Sequence, residues 1–336
     1  MLKKKETTFS FADEALQHAE QRWETHWLKK VQDLIDWTTF RRKLNRLYSE
    51  DEGRPAWPPD LLFRCLLLAE WNGLSDTQLE EALAFRFDYR RFAGIELTAE
   101  VPDSTTFVVF RERIRPIRSK LLEIMNRQLE QKGYKVHNSV AVDASLVEAH
   151  SKPKRKSDDE EPKGGDPDGS WRGFPSKKKK NKEGEEEISR RPALFGYKLH
   201  ASVHTKTGFI SEIKVTTAKE HEVNHGEDLL REETQAAYMD KGYTGMQAVL
   251  KERGIRNGIQ KKASRGHPLT KRDLERNKRI TKVRRIVEAT FGCWKQWYRW
   301  RKTRYMGLIR NELASELTAI AWNIKRLYRL ERCSNA

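Results

Sequence analysis

Apolar side chains recur at steps of three and four residues through most of residues 11–130. This spacing places them along one face of an α-helix. Ser75 and Ser104 precede two of these segments and are candidate N-caps. The pattern predicts an α-helical N-terminal domain over residues 1–130. The segments with the clearest spacing are EALQHAEQRWETHWLKKVQDLIDW, PPDLLFRCLLLAEWNG and TQLEEALAFRFDYRRF.

The pattern changes at residue 138, where runs rich in valine and small residues begin to alternate with helical segments. Such alternation is typical of a sheet covered by helices. Residues 136–330 are therefore predicted to form an α/β or α+β domain. The predicted strands are NSVAVDASLVEAH, the two parts of LFGYKLHASVHTKTGFISEIKVTTA around Thr207-Gly208, AAYMDKGY and IRNGIQ. The predicted helices are GEDLLREETQ, MQAVLKERG, 272–300 and 310–330.

A highly charged segment, residues 151–191, separates the first two strands of this domain. It has blocks of like charge and almost no aliphatic residues, so it cannot bury enough apolar surface to offset the entropy of ordering. We predict an insertion that is mostly disordered. Two interpretations stay open: an inert linker, or a segment that contacts DNA phosphates through Trp171 and Lys177 to Lys180.

The composition favours a nucleic-acid partner. The chain has 336 residues, and 66 lysines and arginines exceed 49 aspartates and glutamates to give a net charge of +17. A basic surface with ten tryptophans points to nucleic acid before an anionic membrane. No apolar run approaches the roughly 18 residues of a membrane span. Three scattered cysteines without metal-ligand spacing argue for a reducing compartment and against structural zinc. We expect a soluble cytoplasmic protein associated with the nucleoid.

One acidic residue stands in the basic stretch RRIVEATFGCWKQWYRWRKTRY. At about 100° per residue, Arg284, Glu288 and Lys295 lie near one another on a helix. An apolar stripe runs beside them, so Glu288 is predicted at the margin of the buried face. A lone carboxylate weakens a surface that holds a polyanion, unless it binds a metal ion. The stripe consists of Ile280, Val283, Val287, Phe291 and Trp294.

Two further acids follow or interrupt apolar strands. Asp143 lies in VAVDAS and Asp240 ends AAYMD. A carboxylate in an apolar strand is unfavourable unless it is paired or binds a metal. Three carboxylates suit Mg²⁺, which takes oxygen ligands and keeps several waters. Simpler alternatives stay open: a cap or turn for the two aspartates, and for Glu288 an ion pair with Arg284 worth only ~0.2–0.5 kcal/mol.

Several motifs together resemble the DDE transposases of the IS5 family within the broader IS4-like group. In the N-terminal part they are GRPAWPPDLLFRCLLLAEWNGLSDTQLEEALAFRFDYRRFAGIEL and VPDSTTFVVFRERI. In the second part they are AVDASLVEAH, FGYKLHASVHTKTGFI, TTAKEHEV, YMDKGYTG and RRIVEATFGCWK, in the family's order. Taken singly each motif is weak, but five in register are specific.

This resemblance implies an α/β fold, with an RNase H-like mixed sheet flanked by helices. The sheet would be preceded by an α-helical N-terminal domain, the DNA-binding or entry domain of the family. The catalytic and metal-binding triad would be Asp143, Asp240 and Glu288, holding two Mg²⁺ ions for which Mn²⁺ substitutes. The family signature Arg-x3-Glu-x6-Lys is met here by Arg284, Glu288 and Lys295. Thr281 stands where the family has a tyrosine.

A second departure is at His221-Glu222, where the family often has His-Asp. His200 and His221 are candidates to support the carboxylates as proton carriers or hydrogen-bond partners, or are simply structural. Lys198 is interpreted as a surface phosphate contact. The predicted DNA-binding residues are Arg284, Lys295, Trp297, Arg299, Trp300 and Arg301. For Trp297 and Trp300 the alternatives are base stacking and partial burial.

The function that the resemblance implies is that of an insertion-sequence transposase. It would bind terminal inverted repeats and target DNA, cleave in a metal-dependent reaction and transfer the freed strand, as a homodimer in the DNA complex. Two alternatives remain. One is a non-catalytic DNA-binding protein of transposase descent, and the other is an RNase H-like nuclease without strand transfer.

Overall fold

A computed structural model describes residues 11–49, 56–153, 164–174, 177–180, 186–189 and 192–334. The chain divides into two compact units. The helical unit comprises the described residues of Met1–Ala69, Leu74–Ile114 and Leu327–Ala336, and the sheet unit comprises those of Glu70–Gly73 and Arg115–Arg326. In the described part of the chain, no helix has the length and apolar character needed to cross a membrane.

The N-terminal region is helical, as its apolar spacing predicts. Its aromatic core includes Phe40 stacked on Phe63, with ring centroids 5.0 Å apart. Ser75 caps the helix Asp76–Phe85 through a capping box. The backbone N–H of Gln78 donates to Ser75 Oγ at 3.2 Å, and the side-chain oxygen of Gln78 accepts from the backbone N–H of Ser75 at 3.0 Å. The helices are α1 (Phe11–Thr25), α2 (Trp27–Leu34), α3 (Trp37–Asn45), α4 (Pro59–Asn72), α5 (Asp76–Phe85), α6 (Phe87–Ala93) and α7 (Ser104–Ile114).

The proposed N-cap at Ser104 was wrong by one residue. Ser104 is the first helical residue of α7, and the carboxylate of Asp103 accepts a hydrogen bond from the backbone N–H of Thr106 at 2.7 Å. An aspartate accepts more strongly than a serine hydroxyl at a helix start, because its charge also interacts favourably with the helix dipole.

The sheet unit contains a six-stranded mixed sheet. Strand order is β2-β5-β1-β7-β8, and β6 also pairs with β5. Pairing is antiparallel for β1 with β5 and for β5 with β6, and parallel for β1 with β7 and for β7 with β8. The strands are β1 (Ser139–Glu148), β2 (Ser170–Arg172), β3 (Lys177–Lys180), β4 (Glu186–Ser189), β5 (Leu194–His204), β6 (Ile210–Thr217), β7 (Ala236–Met239) and β8 (Arg256–Ile259). The helices are α8 (Arg118–Gln131), α9 (Gln247–Glu252), α10 (Lys271–Trp297) and α11 (Leu308–Ser334), of which α11 belongs to this unit as far as Arg326.

The strands β1, β5, β6, β7 and β8 and the long helices of this unit follow the sequence prediction, but one predicted helix does not form. GEDLLREETQ does not form an α-helix, and contains the short 3₁₀ helix Glu227–Leu229 followed by turns. Its two leucines, Leu229 and Leu230, are adjacent and both buried in the core beneath β1 and β7. Adjacent leucines between exposed acids do not give the repeating apolar face that stabilises a helix by packing.

Parts of the charged insertion are ordered. β2 pairs with the start of β5, although no strand was predicted there from the sequence. Asp166 accepts a hydrogen bond from the hydroxyl of Tyr197 at 2.6 Å, and Asp168 accepts one from Leu308 N at the start of α11, at 2.7 Å. These two aspartates fix the segment that carries Trp171, which is half exposed.

The predicted phosphate contacts Lys177 to Lys180 form β3, which pairs with β4 in a separate two-stranded sheet. The remainder of 151–191 that the sequence predicts to be disordered, residues 154–163, 175–176, 181–185 and 190–191, lies outside the described residues. A DNA contact through these lysines stays a prediction.

Glu316 on α11 makes the stability of the sheet unit depend on pH. It is buried, and its Oε2 has no hydrogen-bond partner among the described residues. Burial, reinforced by the charge of Glu212, raises the pKa of its carboxyl to about 8. An unfolded glutamate has a pKa of about 4.3, so between that pH and 8 the folded state binds the extra proton. The free energy of unfolding therefore falls as pH rises through this window.

Glu316→Gln removes this dependence. We expect the variant to match the parent near pH 5 and to exceed it in free energy of unfolding by on the order of 1–3 kcal/mol at pH 8.5. Urea unfolding at both pH values measures the difference, with the exposed Glu252→Gln on α9 as the matched control. Parallel pH slopes for the Glu316→Gln variant and the parent would contradict the assignment.

Candidate active site

Asp143 and Asp240 are brought level by the pairing of β1 with β7. Ala141 pairs with Tyr238 in this parallel register. Continued by two residues, the register sets Asp240 beside Asp143 on the same face of the sheet, because side chains alternate between faces. That the two acids face one metal ion stays a prediction.

Asp240 directly follows β7 and begins a tight turn. Its Oδ1 accepts a hydrogen bond from Gly242 N at 2.7 Å, capping the 3₁₀ helix Lys241–Met246. A Cβ on Gly242 would lie 2.8 Å from that same oxygen, so a larger residue there would displace the Asp240 carboxylate. The capping role that the sequence left open for Asp240 is therefore real, and it leaves Oδ2 outside this hydrogen bond.

Glu288 reaches the same region from α10, which packs on β1, β7 and β5. The helix begins with a capping box between Thr270 and Asp273. As the helical spacing predicts, Glu288 lies at the margin of the buried face, with its side chain 49% exposed. The buried stripe beside it contains Ile280, Val287, Phe291 and Trp294, while Val283 is half-buried.

Arg284 lies between two of the carboxylates. Its side chain is only 7% exposed, with Nη2 3.0 Å from Asp143 Oδ2 and Nη1 3.8 Å from Glu288 Oε1. Its Nε has no hydrogen-bond partner among the described residues. The prediction that Arg284 contacts the DNA backbone is not what this structure shows, because a buried guanidinium held by Asp143 is turned away from solvent.

The electrostatics of Asp143 reflect this crowding. Burial raises the pKa of its carboxyl to about 6, opposed by Arg284 and assisted by the negative charges of Asp240 and Glu222. Burial, followed by the charges of Glu222, Asp143 and Asp240, also raises the pKa of Tyr243. The carboxylates thus share one electrostatic neighbourhood, at a place where excess negative charge is unfavourable without a cation.

The donor chemistry of this cluster fits a divalent cation. Carboxylate oxygens are the ligands that Mg²⁺ and Mn²⁺ prefer. Among the residues that the structure describes, however, no three His, Cys, Asp or Glu side chains converge closely enough to hold one metal ion. Arg284 supplies the positive charge between Asp143 and Glu288 in this arrangement.

The other residues that were predicted to contact DNA differ in how exposed their side chains are. Trp297 at the end of α10 is 65% exposed, whereas Trp300 is only 6% exposed and donates its Nε1–H to Thr318 Oγ1 at 3.0 Å. The stacking prediction for Trp300 was therefore wrong, because α10 ends before it and the turn folds its ring into the core. Arg299 and Arg301 are exposed, and Lys295 is half-buried.

His200 is a structural residue, which is one of the alternatives that the sequence left open. It pairs with Ala144, one residue beyond Asp143, and so lies on the opposite face of the sheet. It is fully buried, its Nε2 is 2.9 Å from Thr216 Oγ1, and burial lowers its pKa to about 3. His200 is a neutral side chain within the sheet unit. His221 is exposed in the loop after β6, and its predicted role remains a prediction.

Lys198 and Glu222 contact one another, and the sequence did not identify them as a pair. Lys198, interpreted as a surface phosphate contact, is only 2% exposed, and its Nζ lies 3.4 Å from Glu222 Oε1. Glu222 was noted only as a departure from a family motif. The available signal was an acid in TAKEHEV, but its contact with Lys198 depends on how the loop packs.

Comparison with known proteins is consistent with this geometry. Residues 134–324 match the family model of the transposase DDE domain, and residues 16–113 match a transposase domain of the DUF772 family. A transposase for insertion sequence element IS1106 from Neisseria meningitidis serogroup B is 33% identical over 215 residues, covering 61% of this chain and 71% of that protein. No solved structure matches the chain significantly.

Proposed function

The chain belongs to the DDE-domain transposases of insertion sequences, and we propose that Asp143, Asp240 and Glu288 are its catalytic carboxylates. The observation that carries this assignment is the shared environment of the three acids: two level positions on neighbouring strands, and a helix whose Arg284 contacts both Asp143 and Glu288. We assign the sheet to an RNase H-like catalytic domain over 136–330, and a DNA-binding or entry role to residues 1–130.

Dependence on a divalent metal is general in the DDE family. We assign Asp143, Asp240 and Glu288 as the ligands of two Mg²⁺ ions, for which Mn²⁺ substitutes. Bound there, such ions activate the attacking oxygen and stabilise the leaving oxygen of a phosphoryl displacement. Arg284 offsets the repulsion between the carboxylates of Asp143 and Glu288.

The exposed cations near the end of α10 hold the DNA beside the carboxylates. Arg299 and Arg301 are exposed, with Lys295 half-buried next to them on α10. Burial, followed by the charge of Arg301, lowers the pKa of Lys295. A phosphate close to these cations relieves their mutual repulsion, and the exposed ring of Trp297 offers a face for an unpaired base.

The proposed reaction has two displacements at phosphorus. Water attacks the phosphodiester at the element end, a new P–O bond forms, the bond to the 3′ oxygen breaks, and that oxygen takes a proton to become a 3′-OH. The 3′-OH then attacks a phosphodiester of target DNA, forming the joint and releasing the target's own 3′-OH. The proposed partners are terminal inverted repeats and target DNA, bound by a homodimer.

The test is Mg²⁺-dependent cleavage of DNA that carries the element's own ends, with products resolved by strand. Wild type is compared with Glu288→Gln and with Glu275→Gln, an exposed acid on the same helix. We expect nicked and joined products from wild type and Glu275→Gln, and neither from Glu288→Gln although it still binds DNA.

Other outcomes separate the alternatives. Equal cutting by Glu288→Gln would remove that residue from the site and leave it as an ion-pair partner of Arg284. Nicked DNA without joined product would indicate a nuclease that lacks strand transfer. Tight binding with no cutting by wild type, in Mg²⁺ or in Mn²⁺, would indicate a DNA-binding protein of transposase descent.

A further inference from the structure

The exposed face of α3 concentrates positive charge in the helical unit. Arg41 and Asn45 lie one helical turn apart on this face. Arg42 and Arg46, which is the C-cap residue, are likewise one turn apart, and all four side chains are exposed. The opposite face is buried and consists of Trp37, Phe40 and Leu44. The sequence of α3, WTTFRRKLN, contains no acidic residue, so the helix is packed on one side and basic on the other.

A cavity of about 420 Å³ lies beside this face, within the helical unit. Its volume is that of a small-ligand pocket. α3 contributes Arg41 and Asn45 to the wall, and the first turns of α4 contribute Asp60 and Arg64. A Cβ on Gly94, the lining residue that ends α6, would lie 3.6 Å from Arg64 Nη1, so glycine leaves that nitrogen at the wall. The described lining therefore includes two guanidinium groups, one carboxamide and one carboxylate.

Asp60 fixes the two arginines of this cavity in place. Its Oδ2 accepts hydrogen bonds from Arg41 Nη2 at 2.9 Å and from Arg64 Nη2 at 2.7 Å. Burial acts to raise the pKa of the Asp60 carboxyl, but the two arginines outweigh it and hold that pKa below its ordinary value. The carboxylate is therefore ionised near neutral pH, and the two guanidinium groups and one carboxylate leave one net positive charge.

Both guanidinium groups keep N–H groups for a further acceptor. Among the described residues, the hydrogen bonds of Arg64 use three of its five N–H groups, and two of these bonds go to the carbonyl oxygens of Asp60 and Phe92. Those of Arg41 use one, and its side chain is 52% exposed. The acceptor that best matches a guanidinium fork, apart from a carboxylate, is a phosphate.

We propose that α3 and this cavity bind the phosphate backbone of duplex DNA, with one phosphate held by Arg41, Arg64 and the amide of Asn45. This inference deepens the proposed DNA-binding role of residues 1–130 and rests on it. Arg42, the next residue along α3, extends the positive surface to a neighbouring phosphate. A polyanion is the complement of a helix face that has arginines and no acids. The alternative is a solvated basic face, on which Arg41 only neutralises its carboxylate partner.

The experiment measures DNA binding by the full chain without divalent metal, by fluorescence anisotropy over a range of salt concentrations. One duplex carries the element's own ends, and an unrelated duplex has the same length. We expect Arg41→Gln to weaken binding to both about 10-fold and to reduce the slope of log K against log salt by about 0.9, because one phosphate contact is lost. Asp60 keeps its hydrogen bond to Arg64 in this variant. Asn45→Asp is expected to weaken binding similarly, because it places a carboxylate beside the phosphate.

The matched control is Arg127→Gln on α8, which also removes an exposed arginine that pairs with a carboxylate, that of Glu123. We expect its affinity and salt slope to equal those of wild type. An unchanged slope in Arg41→Gln would overturn the inference, and so would an equal loss in Arg127→Gln, because net charge alone would then be the cause. A loss confined to the element's ends would also overturn it, since base contacts would then be responsible. If wild type binds neither duplex, the proposed DNA-binding role itself fails.

Discussion

Asp143→Asn is expected to lower the rate of Mg²⁺-dependent cleavage by on the order of 10³-fold while the protein stays folded. Loss of one metal-binding carboxylate removes several kcal/mol of stabilisation at the reacting phosphate, and each 1.4 kcal/mol is about tenfold in rate. The asparagine oxygen still accepts a hydrogen bond from Arg284, whose Nη2 lies 3.0 Å from the Asp143 carboxylate. Initial cleavage rates and urea unfolding measure the two effects separately.

Asp143→Ala distinguishes catalysis from structure. Alanine removes the acceptor and leaves the buried Arg284 with only Glu288, 3.8 Å away. We expect a similar loss of cleavage, together with a decrease in the free energy of unfolding of roughly 1–3 kcal/mol. Glu148→Gln, at the end of the same strand, is the control. Comparable cleavage by Asp143→Asn and wild type would show that Asp143 is only the partner of Arg284.

The acids of the triad could be proposed from sequence because local pattern places each of them. Asp143 interrupts an apolar strand, Asp240 ends one, and Glu288 borders a helical stripe. The side chains of a strand alternate with period two and those of a helix with period 3.6, so the face of each residue follows from its neighbours. What pattern left open was whether the three faces meet.

The residues whose positions the sequence did not predict depend on contacts distant in sequence. His200 lies on the face opposite Asp143 because β5 pairs with β1 in one register, and a shift of one residue would reverse this. Trp300 is buried because a turn brings it to Thr318. Lys198 and Glu222 are brought together only by the loop after β6. None of these relations has a periodic signal in the sequence.

Substitution of the buried Arg284 is expected to have the second large effect on cleavage. Arg284→Gln is expected to lower cleavage by about 100-fold, because the charge that offsets Asp143 and Glu288 is lost. DNA affinity should change little. If Arg284 contacted a phosphate, its loss would reduce the slope of log K against log salt by about 0.9. We expect an unchanged slope for Arg284→Gln and the full reduction for Arg301→Gln, whose side chain is exposed.

Measured together, the two variants place Arg284 in the mechanism. If Arg284→Gln slows cleavage but leaves the slope of log K against log salt unchanged, the guanidinium acts on the carboxylates, as its 3.0 Å contact with Asp143 indicates. A reduced slope would mean that Arg284 leaves Asp143 when DNA binds and pairs with a phosphate, which would require its buried side chain to turn outward.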